Sequence, residues 1–366
     1  MTAGYDTIIV GGGLVGAAIA CGLAGHDRRI AVLDGGDRDW RASRGNYGLI
    51  WVQGKGANAA AYARWSGHAA RSWPAFADTL QAETGIDIGL QQSGGYDFCL
   101  DELEWQARSE EMRRVSEHTA GEFEYEMLDN DALRQRIPEV SPAVLGASYS
   151  DQDGHVNPLF LLRALHQRMQ DLGAEYLPHQ RVLSSETSGS GFVLCSEQGR
   201  YAADQVVFCA GLANQTLAGA LGMHLPLHPI RGQLLITERV APFLPCATLQ
   251  VRQTNVGTLQ IGDTHEDVGF DDSTTLEAIE RLAQRAVRIF PHLAQVNLLR
   301  AWGALRVMTP DGLPIYQASA QYPGAYAVSC HSGVTLAALH ASEVADWINS
   351  ESGDPLIGEF SAERLR

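Results

Sequence analysis

Apolar and polar positions alternate along this chain in blocks that separate strands from helices. Tyr5–Val10 is a short, β-branched apolar run, the signature of a strand buried on both faces. Ala17–Ala24 is small and apolar, which suits a helix packed tightly on a sheet, and Arg29–Asp34 reads as a second strand ending in a carboxylate. Two later runs repeat the theme: Gln205–Cys209 delivers Ala210-Gly211, and Tyr326–Ser329 delivers Ser332-Gly333 and then an apolar helix to about Asn349. Between them the period changes. Ser93–Leu100, Gly232–Thr237, Leu259–Gly262 and Asn297–Arg300 alternate or carry β formers. Leu103 to about Ala120 is Glu- and Arg-rich at helical spacing, with a solvated face. Leu276–Phe290 is a helix stopped by Pro291, and Asp153–Pro158 turns the chain into a helix beginning near Pro158.

The glycine turns lie at the beginning, near 180–215 and at the end, so one continuous domain cannot hold them all. The expected class is α/β: a Rossmann-like domain with an inserted α+β unit built on an antiparallel sheet. The expected boundaries are 1–85, 146–222 and 302–366 for the cofactor domain, with 86–145 and 223–301 for the substrate domain. No internal repeat or low-complexity tract interrupts the chain.

Gly11-Gly12-Gly13-Leu14-Val15-Gly16 follows the first strand and fits G-x-G-x-x-G. Gly11 permits the tight turn, Gly13 lets a pyrophosphate approach the backbone, and Gly16 lets helix and strand close up. The helix start at Leu14 and Val15 then offers N–H groups and a positive dipole end to phosphate. Asp34, eighteen residues past Gly16, stands where an acid bonds ribose hydroxyls. A strand before, a helix after and an acid at this distance make a dinucleotide site the strong reading, without separating FAD from NAD.

Three segments favour FAD. The polar stretch Arg41–Ile50 offers Ser43, Arg44, Asn46, Gly48 and Leu49 for backbone and hydroxyl contacts to the rest of a dinucleotide. Ala210 and Gly211 close a buried strand over the cofactor. Ser332, Gly333, Val334 and Thr335 present a helix start to the flavin edge that gains anionic character on reduction. A helix cap by Ser332 is the plainer alternative.

Composition narrows the function classes. Hydrophobic residues make up 45% and charged residues 19%, ordinary for a soluble globular protein. The formal net charge of −16 disfavours nucleic acid and anionic lipid. No apolar run approaches membrane-spanning length, and the N-terminus lacks a basic region, so a cytoplasmic protein is expected. None of the six cysteines forms C-x-x-C, which argues against a metal or iron–sulfur site made by this chain alone. Cys21 and Cys209 read as core thiols, and only Cys330 sits beside candidate chemistry. G-x-S-x-G is absent, so hydrolase chemistry lacks support.

These motifs together resemble the D-amino-acid oxidase superfamily of FAD proteins, which includes glycine oxidase and monomeric sarcosine oxidase. Within it the chain is most similar to flavoprotein subunits of opine oxidases, D-hydroxyproline dehydrogenases and hydrogen cyanide synthase. The resemblance spans nearly the whole length. It rests on Gly11–Gly16, Ser43–Asn46, Asp153–Pro158, Arg231–Gln233, Trp302–Arg306 with Thr309–Pro314, and His331–Thr335.

The resemblance implies FAD as cofactor and oxidation of a C–N bond in an amino acid or N-substituted amino acid. It implies that Arg306, beside the cofactor, binds the substrate carboxylate, a task suited to a planar guanidinium. Ala304 and Val307 depart here from the related G-L-R-P pattern. It also implies that Val182 contacts adenine through its backbone and that His265 shapes the pocket. Lys55, between glycines, is a candidate for reaching the flavin or a second carboxylate, against an exposed loop lysine. His331 is a candidate for tuning the flavin or touching substrate. Tyr96 and Trp302 are candidate pocket walls, with core packing as the alternative.

The leading expectation is a dehydrogenase for an opine or a D-imino acid such as D-hydroxyproline, working with partner subunits that carry iron–sulfur centres or a second flavin. The alternatives are a self-sufficient glycine, sarcosine or D-amino-acid oxidase that makes peroxide, and a non-catalytic FAD-stabilised assembly subunit.

Overall fold

The computed structural model describes residues 3–24, 28–36, 42–189, 191–350 and 353–366; Arg41, which opens the polar segment 41–50, lies outside them. Ala3–Val10 forms the centre of an eight-stranded sheet. It pairs in parallel with Ile30–Leu33 on one side and Arg200–Phe208 on the other. Ala325–Ser329 continues the parallel order and Ile315–Ala318 closes that edge antiparallel. Buried parallel strands need apolar residues on both faces, and Ile8, Ile9 and Val10 are all buried.

Helix Leu14–Ala24 covers one face of this sheet. Its small residues let other helices come close: a Cβ on Gly22 would meet Ala341 O at 2.5 Å. The C-terminal segment breaks at this approach. The expected continuous helix from Ser332 is instead a run of turns followed by Ala337–His340 and Glu343–Ser350. The long helix Ala60–Thr84 buries Trp65 and Trp73 in the same core, where Trp73 Nε1 donates to Thr335 O at 2.9 Å.

The second unit holds two four-stranded sheets. One runs Val251–Gln253, Thr258–Ile261, His228–Arg239, Leu298–Met308, all antiparallel. The other joins Ala247–Thr248, Gly95–Cys99, Gly146–Ser150 and Glu126–Asp129. Helix Leu276–Ile289 shares a core with both through Leu282, Ala286 and Ile289. Strand pairing thus carries this unit's sheets past residues 145 and 301, to Ser150 and Met308. A strand cannot be divided where its hydrogen bonds continue.

Asp153 joins the two units. Its carboxylate is fully buried and accepts from Val52 N–H and Gln53 Nε2, both at 2.6 Å. Burial pushes it up to about 7. Next to it, Leu49–Ile50 pairs with Gly154–His155, so the Asp153–Pro158 corner fixes the loop that follows the polar segment.

His155 and His340 are buried, and desolvation depresses both to about 3. Unfolding returns them to about 6.5, so the unfolded chain binds the extra protons. Their contribution is complete above the unfolded value and is lost as pH falls toward the folded one. Thermal melts should therefore show the melting temperature falling as pH drops below about 6.5. His340→Gln should make that fall shallower by about one proton, read from the slope against pH.

Candidate active site

Three turns meet at the carboxyl ends of the parallel strands, the place where open α/β sheets bind ligands. After Val10, Gly11 has φ 104°, and a Cβ there would lie 2.5 Å from Cys209 O. A Cβ on Gly16 would lie 1.9 Å from Gly11 O, so the loop folds backbone against backbone. Ser43 Oγ accepts from Leu14 N–H at 2.9 Å, directly over Gly13. Asp34 accepts from Gly12 N–H at 2.7 Å and Gly36 N–H at 2.8 Å, which orients its carboxylate beside the glycine loop. Gly333 faces the same loop, with Val15 Cγ2 3.6 Å from where its Cβ would be. The two ends of the chain therefore share one site.

The other cofactor candidates surround this junction. Asn46 Oδ1 accepts from Gly48 N–H at 2.6 Å, and Gly48 has φ 89° with Val156 O 2.5 Å from an added Cβ. Thr335 Oγ1 accepts from Trp51 N–H at 3.2 Å and donates to Leu49 O at 3.4 Å, tying the C-terminal turn to the segment after residue 48. Ala210 N–H donates to Asn214 Oδ1 at 2.7 Å, and Gly211 opens a short 3-10 turn. Val182 starts a strand at the sheet's flank, and Arg44 is exposed.

A cavity of about 250 Å³ opens beside this junction. Lys55, His265, His331, Ser332, Val334, Thr335 and Arg306 all line it, as do Asn46 and Leu49. Lys55 Nζ donates to Ser332 Oγ, which also shares a hydrogen bond with Tyr62 Oη at 2.8 Å. Ser332 therefore engages lysine and tyrosine rather than capping a helix. Desolvation lowers Lys55 to about 8. His331 faces the cavity and keeps an exposed surface there, while neighbouring packing and the cations of Lys55 and Arg306 lower its basicity. Cys330 lines the cavity too, but burial pushes its thiol up to about 12, so it is no thiolate nucleophile.

Arg306 comes from strand Leu298–Met308 and crosses Gly232 of the adjoining strand; a Cβ on Gly232 would lie 2.4 Å from Nη2. Its fork is already engaged. Nη1 donates to Thr264 O at 2.8 Å, and Nη2 donates to Asp263. Two pocket candidates stand apart. Tyr96 packs at a tilt against Tyr149, ring centroids 4.8 Å apart, within the second unit's core and is not part of the cavity wall. Trp302 is half-buried behind the wall, with Nε1 3.4 Å from Gly45 O. Asp263, Tyr47 and Leu249 line the cavity without having been singled out by motif. For Asp263 the one sequence signal is its place two residues before His265-Glu266.

These residues fit a flavin dinucleotide. The glycine loop leaves Gly13 without a side chain beneath the Ser43 hydroxyl, the Ser332–Thr335 turn faces it, and an apolar-walled cavity adjoins both. Among the described residues no cluster of three His, Cys, Asp or Glu could hold a metal, and no helix is long and apolar enough to cross a membrane.

Comparison with known proteins agrees. The family described as FAD dependent oxidoreductase, DAO, matches residues 6–347. An opine oxidase subunit of Agrobacterium tumefaciens is 44% identical over 98% of this chain and 97% of its own. The hydrogen cyanide synthase subunit HcnC of Pseudomonas aeruginosa is 30% identical over 99% of this chain and 96% of its own. The crystal structure of glycine oxidase from Geobacillus kaustophilus superposes with TM-score 0.89 at 26% identity, covering 98% of each chain.

Gly16→Ala and Gly13→Ala should each reduce flavin affinity by about a hundredfold or more, the first because a methyl there meets unyielding backbone and the second because it fills the space the pyrophosphate needs. The ratio of flavin to protein absorbance after dialysis checks both.

Proposed function

The chain belongs to the FAD-dependent oxidoreductase family, and on that premise we propose that it oxidises the C–N bond of an opine or a D-imino acid such as D-hydroxyproline to an imine. We further propose that it acts in the cytoplasm as the flavoprotein subunit of an enzyme of several chains. The observation that carries the reading is that Arg306, Lys55 and the Ser332–Thr335 turn line one cavity at the carboxyl ends of the parallel strands. The names of its relatives support the substrate class and the assembly: the opine oxidase and hydrogen cyanide synthase chains are both named as subunits.

FAD, when bound, supplies the acceptor for the hydride leaving the substrate's Cα. The protein's part is positioning and electrostatics. Arg306 anchors the substrate carboxylate. Lys55 offers a second cation for the other carboxylate that an opine carries. Leu49, Trp51, Leu234, Leu249, Leu305 and Val334 keep the cavity apolar and exclude water from the reacting carbon. His331 offers the cavity an imidazole hydrogen-bonding group beside Lys55 and Arg306.

Anaerobic mixing of the yellow protein with opines, D-amino acids and D-imino acids tests the reading. Opines or D-imino acids should bleach the flavin absorbance, with electrons passing to a dye far faster than to oxygen. Bleaching by glycine or sarcosine with rapid peroxide formation would instead identify a self-sufficient oxidase, and bleaching by none of them would end the proposal. Arg306→Ala should raise the substrate concentration needed for half-maximal bleaching by about tenfold or more, the cost of losing a charge-assisted pair.

Lys55 is charged below about 8 and neutral above it. Its attraction for an anion is therefore present at lower pH and lost as pH rises through that value. The affinity of a non-reactive dicarboxylate such as glutarate should fall across this range, and Lys55→Met should abolish the inflection, as measured by calorimetric titration.

A further inference from the structure

Among the described residues the cavity wall holds one carboxylate, Asp263, and it is not the group that holds its own loop in place. Asp263 lies on the segment between strand Thr258–Ile261 and helix Leu276–Ile289. That segment is pinned by other groups. Gly262 N–H donates to Gln250 O at 3.1 Å, and Thr264 Oγ1 accepts from Gln233 N–H at 3.0 Å and donates to Glu266. Arg231, itself buried, grips Glu266 at 2.7 Å and Asp271 at 2.6 Å. Asp263 is left to face the cavity and the guanidinium of Arg306. Its other carboxylate oxygen lies 3.8 Å from His265 Nδ1, beyond hydrogen-bond reach.

We propose that Asp263 is a specificity-determining residue that occupies Arg306 in the free enzyme and exchanges it, on binding, for the cationic nitrogen of the substrate. The inference rests on the reading of Arg306 as the carboxylate anchor. The physical argument is one of charge balance in an apolar-walled space. Leu234, Leu249, Leu305 and Val307 line the same cavity; Arg306 is only 13% exposed, and Asp263, 32% exposed, meets the open space in front of it. Arg306 spends one hydrogen of each Nη on Thr264 O and Asp263, so a carboxylate that takes its remaining donors shares the guanidinium with Asp263. A carboxylate with no cation leaves Asp263 facing a like charge or unpaired, which is costly away from water. A zwitterion replaces one internal ion pair by two, carboxylate on Arg306 and nitrogen on Asp263, and leaves no charge stranded. The selection works by penalising the wrong ligand. It admits protonated amino acids and N-alkyl amino acids and rejects simple carboxylates and oxo acids, the latter including what remains after the imine hydrolyses. Recognition concerns the entering, protonated amine.

The test uses the FAD-loaded protein and two unreactive probes of nearly equal shape. 2-Aminoisobutyrate has no hydrogen on Cα, and pivalate replaces its ammonium by a methyl group. Binding is read by calorimetry and by perturbation of the flavin absorbance. The unmodified protein should favour 2-aminoisobutyrate by about tenfold or more, and D263N should bring the two within about threefold by weakening the zwitterion and strengthening pivalate. D263E should restore most of the preference. D263S carries the same expectation as D263N and is read beside it. A preference that D263N and D263S leave intact, or equal weakening of both probes, would overturn the role of Asp263. R306A, made with and without D263N, separates the two readings. If it leaves pivalate binding unchanged in both backgrounds, the carboxylate anchor itself is wrong and the exchange falls with it. If it weakens pivalate while D263N leaves the preference intact, only the exchange fails.

Discussion

The register of the central sheet is the constraint on which the site depends. Val10 pairs with Leu33 on one side and with Phe208 on the other, and Phe208 pairs in turn with Ala327. Backbone hydrogen bonds continue this alignment one step beyond the strands: Gly11 N–H reaches Leu33 O and Cys209 N–H reaches Val10 O, both at 2.8 Å. Parallel strands in register must release their chains at the same edge. The glycine loop at Gly11, the turn at Ala210-Gly211 and the turn at Ser332-Gly333 therefore emerge together, although 322 residues separate Gly11 from Gly333. Slipping any one strand by two residues would move its turn by roughly 6–7 Å, from the rise per residue of a strand, and would pull the site apart.

Around that edge the second unit is attached by buried polar contacts in addition to the apolar packing of Met112, Val115 and Phe123 on the helical core. Asp153 holds Val52 and Gln53, and Gln53 Nε2 also reaches Gly95 O at 3.0 Å in the second unit. Arg252 reaches back to Val156 O at 3.0 Å and to Gln260 Oε1 at 2.6 Å. Such bonds are directional. They fix the angle at which strand Leu298–Met308 brings Arg306 over the cavity, which an apolar seam does less sharply.

The electrostatics of the cavity follow from the same arrangement. Lys55 comes from the loop after the polar segment, His331 from the C-terminal turn, and Arg306 and Asp263 from the second unit. Desolvation lowers Lys55, while Arg306 pairs with Asp263. A cavity wall that presents Arg306, a weakened Lys55 and the Asp263 carboxylate suits ligands that carry both signs of charge.

The sequence by itself determined the dinucleotide fold, because its marks are local. Gly11, Gly13 and Gly16 answer to backbone geometry over six residues, and the strand before and helix after them are legible from polarity alone. The Asp153–Pro158 corner and the helix from Pro158 are local in the same sense. Tertiary structure alone decided which side chains share the cavity. Tyr96 was a reasonable wall by position, yet the pleat turns its ring into the core against Tyr149. A helix cap was the plainer alternative for Ser332, but Lys55 and Tyr62, more than 260 residues away in the chain, claim its hydroxyl. Asp263 has no local signature beyond its place before His265-Glu266, and its meaning comes from Arg306 on another strand. Short-range patterning reports what a segment must become. Long-range pairing sets what each side chain meets, and charge, burial and specificity depend on that meeting.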